Sequence, residues 1–340
     1  MKKILGIILG FSMLVPAFAY AATPSVTIES VKATIAALQA QIASLQRQLA
    51  ELEAAAGTTF YVPWTQAKAQ ADTWRTVRPA DAVTLDVIAN TPQAGWFGNW
   101  NSNIYTDVQK FVNAAAGKNQ TPILVFYNIP QRDCGSYSAG GAGSAPAYWA
   151  WVGAAAAAIG DRKAIVILEP DALANMTCLS TSDQANRLSI LSGAVDALKT
   201  RANTKVYLDA GNARWISIDA MGARLMAAGV MKADGFSLNV SNYFTTDDNV
   251  AYGTELSKQV GDKHFVIDTS RNGRGPTADS QWCNAPGRAI GTRPTTATGN
   301  SLVDAFLWIK NPGESDGTCN GGPSAGTFWP EMALSLVHNR

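Results

Sequence analysis

The chain has 340 residues, with 27 Lys plus Arg against 26 Asp plus Glu and a formal net charge of +1. That length suits one large α/β domain with a small appendage, and the charge balance gives no reason to expect nucleic acid or an anionic membrane surface as a partner. The chain has only two histidines, His264 and His338, so neither a Ser-His-Asp triad nor a histidine-based metal centre is expected and acid–base chemistry falls to carboxylates.

Read from its start, Met1-Lys-Lys is a basic opening, residues 4–18 are apolar, and Ala19-Tyr20-Ala21 fits a small-x-small cleavage rule. Residues 1–21 therefore read as a secretory signal peptide, which places the protein outside the cell or at its surface. Cys134, Cys178, Cys283 and Cys319 make an even count in an exported chain, so two disulfides are expected, with three connectivities open. None of the four has C-x-x-C spacing.

Residues 22–56 form a distinct segment. Ile28, Val31, Ile35, Leu38, Ile42, Leu45, Leu49 and Leu52 recur at alternating spacings of three and four. Ile at a with Leu at d favours parallel pairing, so this stretch is expected to be a coiled-coil helix that joins copies of the chain, most simply as a dimer. The alternative is an amphipathic helix folded onto its own main domain. Residues 54–59 read as a short linker.

Residues 57–340 read as the catalytic body. Strands are expected at 93–98, 121–127, 164–169, 205–209, 236–239, 264–268 and 301–310. Helices are expected at 105–116, 147–159, 182–201, 219–228, 251–260 and 330–338. Short β-branched runs separated by helix-length stretches are the pattern of a buried parallel sheet. Seven of them predict an α/β barrel, closed or nearly closed. In such folds the loops leaving the C-terminal strand ends build the site. Asp133, Asp171, Asp209 and Asp316 all fall there. Gathering carboxylates at one mouth costs free energy unless chemistry uses them.

Five segments carry that chemistry: Tyr127-Asn-Ile-Pro-Gln-Arg-Asp133, Glu169-Pro-Asp171, Asp209-Ala-Gly-Asn212-Ala-Arg-Trp215, Trp282-Cys283-Asn-Ala-Pro-Gly-Arg288 and Lys310-Asn-Pro-Gly-Glu314-Ser-Asp316. On these motifs, and in their order, the sequence from about residue 60 onward resembles glycoside hydrolase family 6, the inverting β-1,4-glucanases. The resemblance implies a distorted seven-stranded parallel α/β barrel and cellulose or another β-1,4-glucan as substrate. It implies that Asp171 is the general acid and that Asp133 raises its pKa and helps hold the water. Asp316 matches the family's candidate base, and Asp209 a further acid of the cleft. Trp96, Trp215 and Trp282 match stacking tryptophans, and Tyr127 the tyrosine beneath the sugar at the point of cleavage. Lys310 and Glu314 match residues that bond glucose units, Arg288 matches a cleft arginine, and Ser138 is the nearest match to a water-holding loop serine. Asn212 stands where the family usually has histidine, so a contact there cannot titrate. No metal and no cofactor is implied.

With those loops at one face, the disulfides are expected as Cys134–Cys178 and Cys283–Cys319, each tying two loops that flank an aspartate. The segments after Asp133 and Asp316 are short, which points to an open cleft and attack on internal bonds. The rivals are a cellobiohydrolase acting from chain ends, a hydrolase of another β-glucan, and a non-catalytic glucan-binding protein. Trp74, Trp149, Trp151, Trp308 and Trp329 are expected in the core, and Asp268 in a structural role.

Overall fold

The computed structural model describes residues 27–55 and 59–340. The expected signal peptide lies outside the described residues. The chain divides into two compact units, Met1–Leu52 and Glu53–Arg340.

The heptad stretch is helical, with α1 running Ile28–Ala55. Its start is a reciprocal cap. Thr27 Oγ1 accepts the Ser30 N–H at 3.1 Å, and Ser30 Oγ accepts the Thr27 N–H at 3.0 Å. Ile28, Val31, Ile35, Leu38, Ile42 and Leu45 are between 43% and 75% exposed. What is observed is one helix with an open apolar stripe. A coiled coil, which needs a second helix, is not shown.

The second unit opens with α2 (Gln66–Trp74) and α3 (Pro79–Ala89), a stretch to which the sequence pattern assigns no element. Local signals were present: Thr65 Oγ1 accepts the Lys68 N–H at 3.2 Å, and Pro79 begins α3. Seven parallel strands follow in sequential order: β1 (Gly95–Phe97), β2 (Ile123–Phe126), β3 (Ala164–Leu168), β4 (Thr204–Asp209), β5 (Gly235–Leu238), β6 (His264–Asp268) and β7 (Val303–Leu307). Crossover helices α4 (Ile104–Ala116), α5 (Ala145–Ile159), α6 (Thr181–Lys199), α7 (Ile218–Ala227) and α8 (Thr246–Gln259) link the first six. A long loop joins β6 to β7, and α9 (Pro330–His338) closes the chain.

Why these runs form strands is visible in their two faces. Leu124, Phe126, Val166 and Leu168 point into one buried cluster with the crossover helices. Their alternates Ile123, Val125, Ile165 and Ile167 fill a second cluster on the concave side. Both faces are therefore apolar, as a helix-covered parallel sheet requires. Ser144, Ser180, Ser217 and Thr245 each cap the following helix with a side-chain oxygen. Such caps are worth about 1 kcal/mol each, and they set the turn at which each strand-end loop becomes a helix.

The barrel is open. No strand ladder joins β1 to β7. The gap is spanned by the Ala94 N–H on the Trp308 carbonyl at 3.0 Å and by the Trp96 indole N–H on the Ile309 carbonyl at 2.8 Å. In place of a closing strand, α2, α3 and α9 pack with the buried Trp308. The sheet is a curled half-barrel, and the expectation of near closure is corrected accordingly. No helix lies between β6 and β7, and their register shifts at Phe265/Val266.

Candidate active site

Non-glycine residues with left-handed backbone gather just past the strand ends: Gln131, Asp133 and Cys134 after β2, Glu169 and Asp171 after β3, Asn239 and Ser241 after β5. Such backbone costs on the order of 1–3 kcal/mol per residue and persists only where the surroundings hold it. What holds it here can be named. The fully buried Glu169 carboxylate accepts the N–H groups of Asn128, at 2.9 and 3.0 Å, and Ile129, at 3.0 Å. The buried Arg187 guanidinium donates to the carbonyls of Pro130 and Gln131, at 3.1 and 2.9 Å, and to those of Ala172 and Asn175, at 3.4 and 3.1 Å. One acid and one base thus hold four consecutive residues of the loop leading to Asp133 and tie them to the segment carrying Asp171. The Cys134–Cys178 disulfide, with Cα atoms 5.8 Å apart, adds a covalent tie between the same two loops.

Asp171 sits in a strongly acidic setting. Its N–H donates to Asp209 Oδ1 at 2.9 Å. Burial first, then the negative charges of Asp209, Asp133 and Asp316, hold its pKa well above the usual carboxylate value, and a hydrogen bond from Tyr127 opposes this only in part. Burial likewise raises Asp133, against the Ser138 N–H bonded to it at 2.8 Å and the charge of Arg132. Asp209 is pushed up to about 7 by burial, while the N–H groups of Asp171 and Gly211 and the Ser237 hydroxyl pull the other way.

Asp316 is the opposite case. Burial would raise it, but Arg271 and Lys310 outweigh burial and hold it below the ordinary value. Arg271 Nη1 lies 3.0 and 2.8 Å from its two oxygens, Lys310 Nζ 3.3 Å away, and the Asn284 N–H donates at 2.9 Å. Arg271 is itself wholly buried, stacked over the Tyr243 ring at 4.4 Å and bonded to the Ser241 carbonyl. Asn284 Oδ1 accepts the Asp316 N–H at 2.8 Å, and its Nδ2 reaches the Gly317 carbonyl, also at 2.8 Å. The Cys283–Cys319 disulfide links the same two loops. Both bridges follow the expected pairing.

Three of these carboxylates, Asp133, Asp171 and Asp316, lie along a cleft of about 1320 Å³. Trp96, Tyr127, Asn212, Trp215, Trp282, Lys310, Glu314 and Ser138 all line it with them. Trp96 meets Tyr127 edge to face at 5.5 Å. Glu314 Oε1 accepts from Gln66 at 3.1 Å and from Asn311 at 3.2 Å. Asn212 Oδ1 is spent on the Arg214 N–H.

Three expectations need correction. Asp209 is 1% exposed and lies behind the wall, buttressing Asp171 through its backbone. Arg288 is absent from the lining; its guanidinium is committed to the carbonyls of Pro286, Gly275 and Pro276, fixing a loop. Trp149 is not core: it is 40% exposed. Asp268 has the structural part expected of it, accepting the N–H groups of Ser241, Ser270 and Lys310. Arg271, Glu169 and Arg187 were missed. Glu169 stood in the Glu-Pro-Asp motif and Arg271 just past a strand end, so both carried a positional signal; Arg187, inside a helix, carried none.

An α/β half-barrel bearing carboxylates whose pKa values are pushed in opposite directions, beside an aromatic-lined cleft, is the kind of site that cleavage of a glycosidic bond requires. A model of the family described as glycosyl hydrolases family 6 matches residues 55–340, and the chain belongs to that family. It is 46% identical over 282 residues to Endoglucanase A of Cellulomonas fimi, covering 82% of this chain and 61% of that protein. It is 44% identical to Endoglucanase 1 of Streptomyces halstedii, covering 79% and 86%. Among solved structures, the endoglucanase Cel6 of Mycobacterium tuberculosis, in complex with methyl-cellobiosyl-4-deoxy-4-thio-β-D-cellobioside, superposes with a TM-score of 0.79 at 44% identity, covering 84% of this chain and 98% of that one.

Proposed function

We propose that this protein is a secreted endo-β-1,4-glucanase that cleaves internal bonds of cellulose with inversion. The observation that carries the reading is the setting of Asp171, a carboxyl whose pKa is raised by burial and by three neighbouring acids beside an aromatic-lined cleft. A group that still holds its proton near neutrality can deliver it to the leaving oxygen. Trp96, Trp215 and Trp282 supply flat apolar faces for glucose rings, and Lys310, Glu314 and Asn212 supply polar contacts to hydroxyls.

On this reading Asp133 takes the water. One of its oxygens is engaged by the Ser138 N–H, and its raised pKa suits a proton acceptor better than the low pKa of Asp316 does. Asp316, the candidate base by resemblance, is held ionised by Arg271 and Lys310, and that pairing makes it a poorer proton acceptor than Asp133. Tyr127 bonds Asp171 from beneath the scissile unit. Trp215 and Trp282 stay 40% and 51% exposed, which suits a cleft that admits chains along their length.

Two measurements on carboxymethylcellulose and a soluble oligosaccharide test this. Viscosity should fall steeply before much reducing sugar appears, and proton NMR should show the α-anomer first. A slow viscosity loss with early cellobiose would favour action from chain ends, and an initial β-anomer would sink the inverting mechanism.

The domain reading goes with it: residues 57–340 act as the catalytic body, and residues 22–56 pair two chains through the open stripe of α1. Light scattering should give a dimer for the chain starting at residue 22 and a monomer for one starting at Thr58. Two monomers would remove the pairing and leave the hydrolase reading untouched.

A further inference from the structure

We propose that the groove between α5 and α6, on the flank of the half-barrel, is a second binding site for a neutral β-glucan chain, with Trp149 as its stacking platform. This rests on the reading of the protein as a β-glucanase.

The groove has a volume of about 390 Å³ and shares no lining residue with the catalytic cleft. Pockets of this size hold small ligands. Trp149 follows the buried Tyr148 on α5, yet 40% of it is exposed. Its orientation is fixed. The indole N–H donates to the Ile190 carbonyl of α6 at 3.1 Å. The ring's Nε1 edge lies over Gly193, where an added Cβ would come within 2.7 Å. A glycine there lets the indole lie down on α6. An aromatic surface set before a ligand arrives loses little rotamer freedom on binding.

The chemistry of the lining selects a neutral ligand. Its two charged residues are Arg187 and Asp183. Arg187 is buried and already engaged by four carbonyls. Asp183 accepts the Ser180 hydroxyl at 2.6 Å. No cation is left for an anionic ligand. What remains is an apolar floor from Pro130, Ala142 and Ile190 and an exposed polar edge from Gln131, Asn186 and Ser189. A pyranose chain has that pattern, with C–H faces to stack and equatorial hydroxyls to bond. On a polymer, a second anchor holds the cleft near further chain, raising its effective concentration there.

The test is adsorption, which needs no turnover. The full chain carrying Asp171→Asn is bound to microcrystalline cellulose with and without Trp149→Ala. In parallel, kcat/KM on soluble cellopentaose is measured for the active chain with Trp149→Ala. Adsorption affinity should fall roughly tenfold, while kcat/KM stays within about twofold. Asn186→Arg, an exposed position whose new side chain would obstruct the groove, should reproduce the loss without touching the α5–α6 packing. Unchanged adsorption in both variants would overturn the proposal, as would a loss on cellopentaose matching the loss of adsorption. The two readings fail separately. A chain that adsorbs through Trp149 but hydrolyses no cellulose removes the proposed activity and keeps the groove. A chain that hydrolyses cellulose with adsorption indifferent to Trp149 does the reverse.

Discussion

Replacing Asp171 by alanine is expected to lower kcat on cellulose by about 10²–10⁴, the usual contribution of a positioned general acid. The loss should be much smaller on an aryl cellobioside whose phenolate leaves without protonation, because the missing proton is then not needed in the transition state. KM should change little, since Trp96, Trp215 and Trp282 in the cleft wall are untouched. Asp171→Asn should behave alike, because an amide keeps the shape but cannot give up a proton in this way. An equal loss on both substrates would instead point to a role in binding or in holding the loop. The reason to expect a pure acid effect is structural: the loop's own ties run through the Asp171 N–H to Asp209 and through Glu169 and Arg187, none of which uses the Asp171 carboxyl.

Replacing Arg271 by methionine is expected to be the most damaging single change outside the acid. Arg271 and Asp316 form a buried pair, with side chains 0% and 5% exposed. Removing one partner of such a pair leaves an uncompensated charge and typically costs about 3–5 kcal/mol. In a domain of this size that should lower Tm by on the order of 10 °C. The pH dependence has a definite sign. In the parent, Asp316 is held below its unfolded value, so its contribution to stability is present above the unfolded pKa, near 4, and is lost as pH falls through the folded one. In the variant Lys310, the Asn284 N–H and the Tyr243 hydroxyl at 3.5 Å remain against burial, and the carboxyl rises. The Tm gap between parent and variant should therefore be widest near neutrality and shrink as pH falls from the variant's raised pKa through the parent's lowered one. A gap independent of pH would mean that lost packing over Tyr243, not the charge on Asp316, accounts for the damage.

The chain's local patterns carried much of this in advance. Residues 123–126 and 164–168 could be read as buried strands because both of their faces are apolar, a property written in composition over a few residues. The acids at their ends could be read as a site because a parallel sheet presents all its C-terminal ends to one side. The stripe from Ile28 to Leu45 announced a helix by its spacing alone, and four cysteines announced two bridges.

Tertiary structure decided what depends on residues far apart in sequence. Asp209 ends β4 and Asp171 lies just past the end of β3, but only the packing puts Asp209 behind the wall and Asp171 in the cleft. Arg288 and Arg271 both follow β6, yet one is consumed by loop carbonyls and the other by Asp316, 45 residues away. Glu169 and Arg187 reach the loop before Asp133 across 40–57 residues. Trp149 differs from its neighbour Tyr148 only in which way α5 turns against α6, and that places one ring in the core and the other over a groove. Periodicity specifies which face of an element is apolar. The pKa of a carboxyl depends on which charges and donors are brought within a few ångströms of it, and that is settled only when the elements pack.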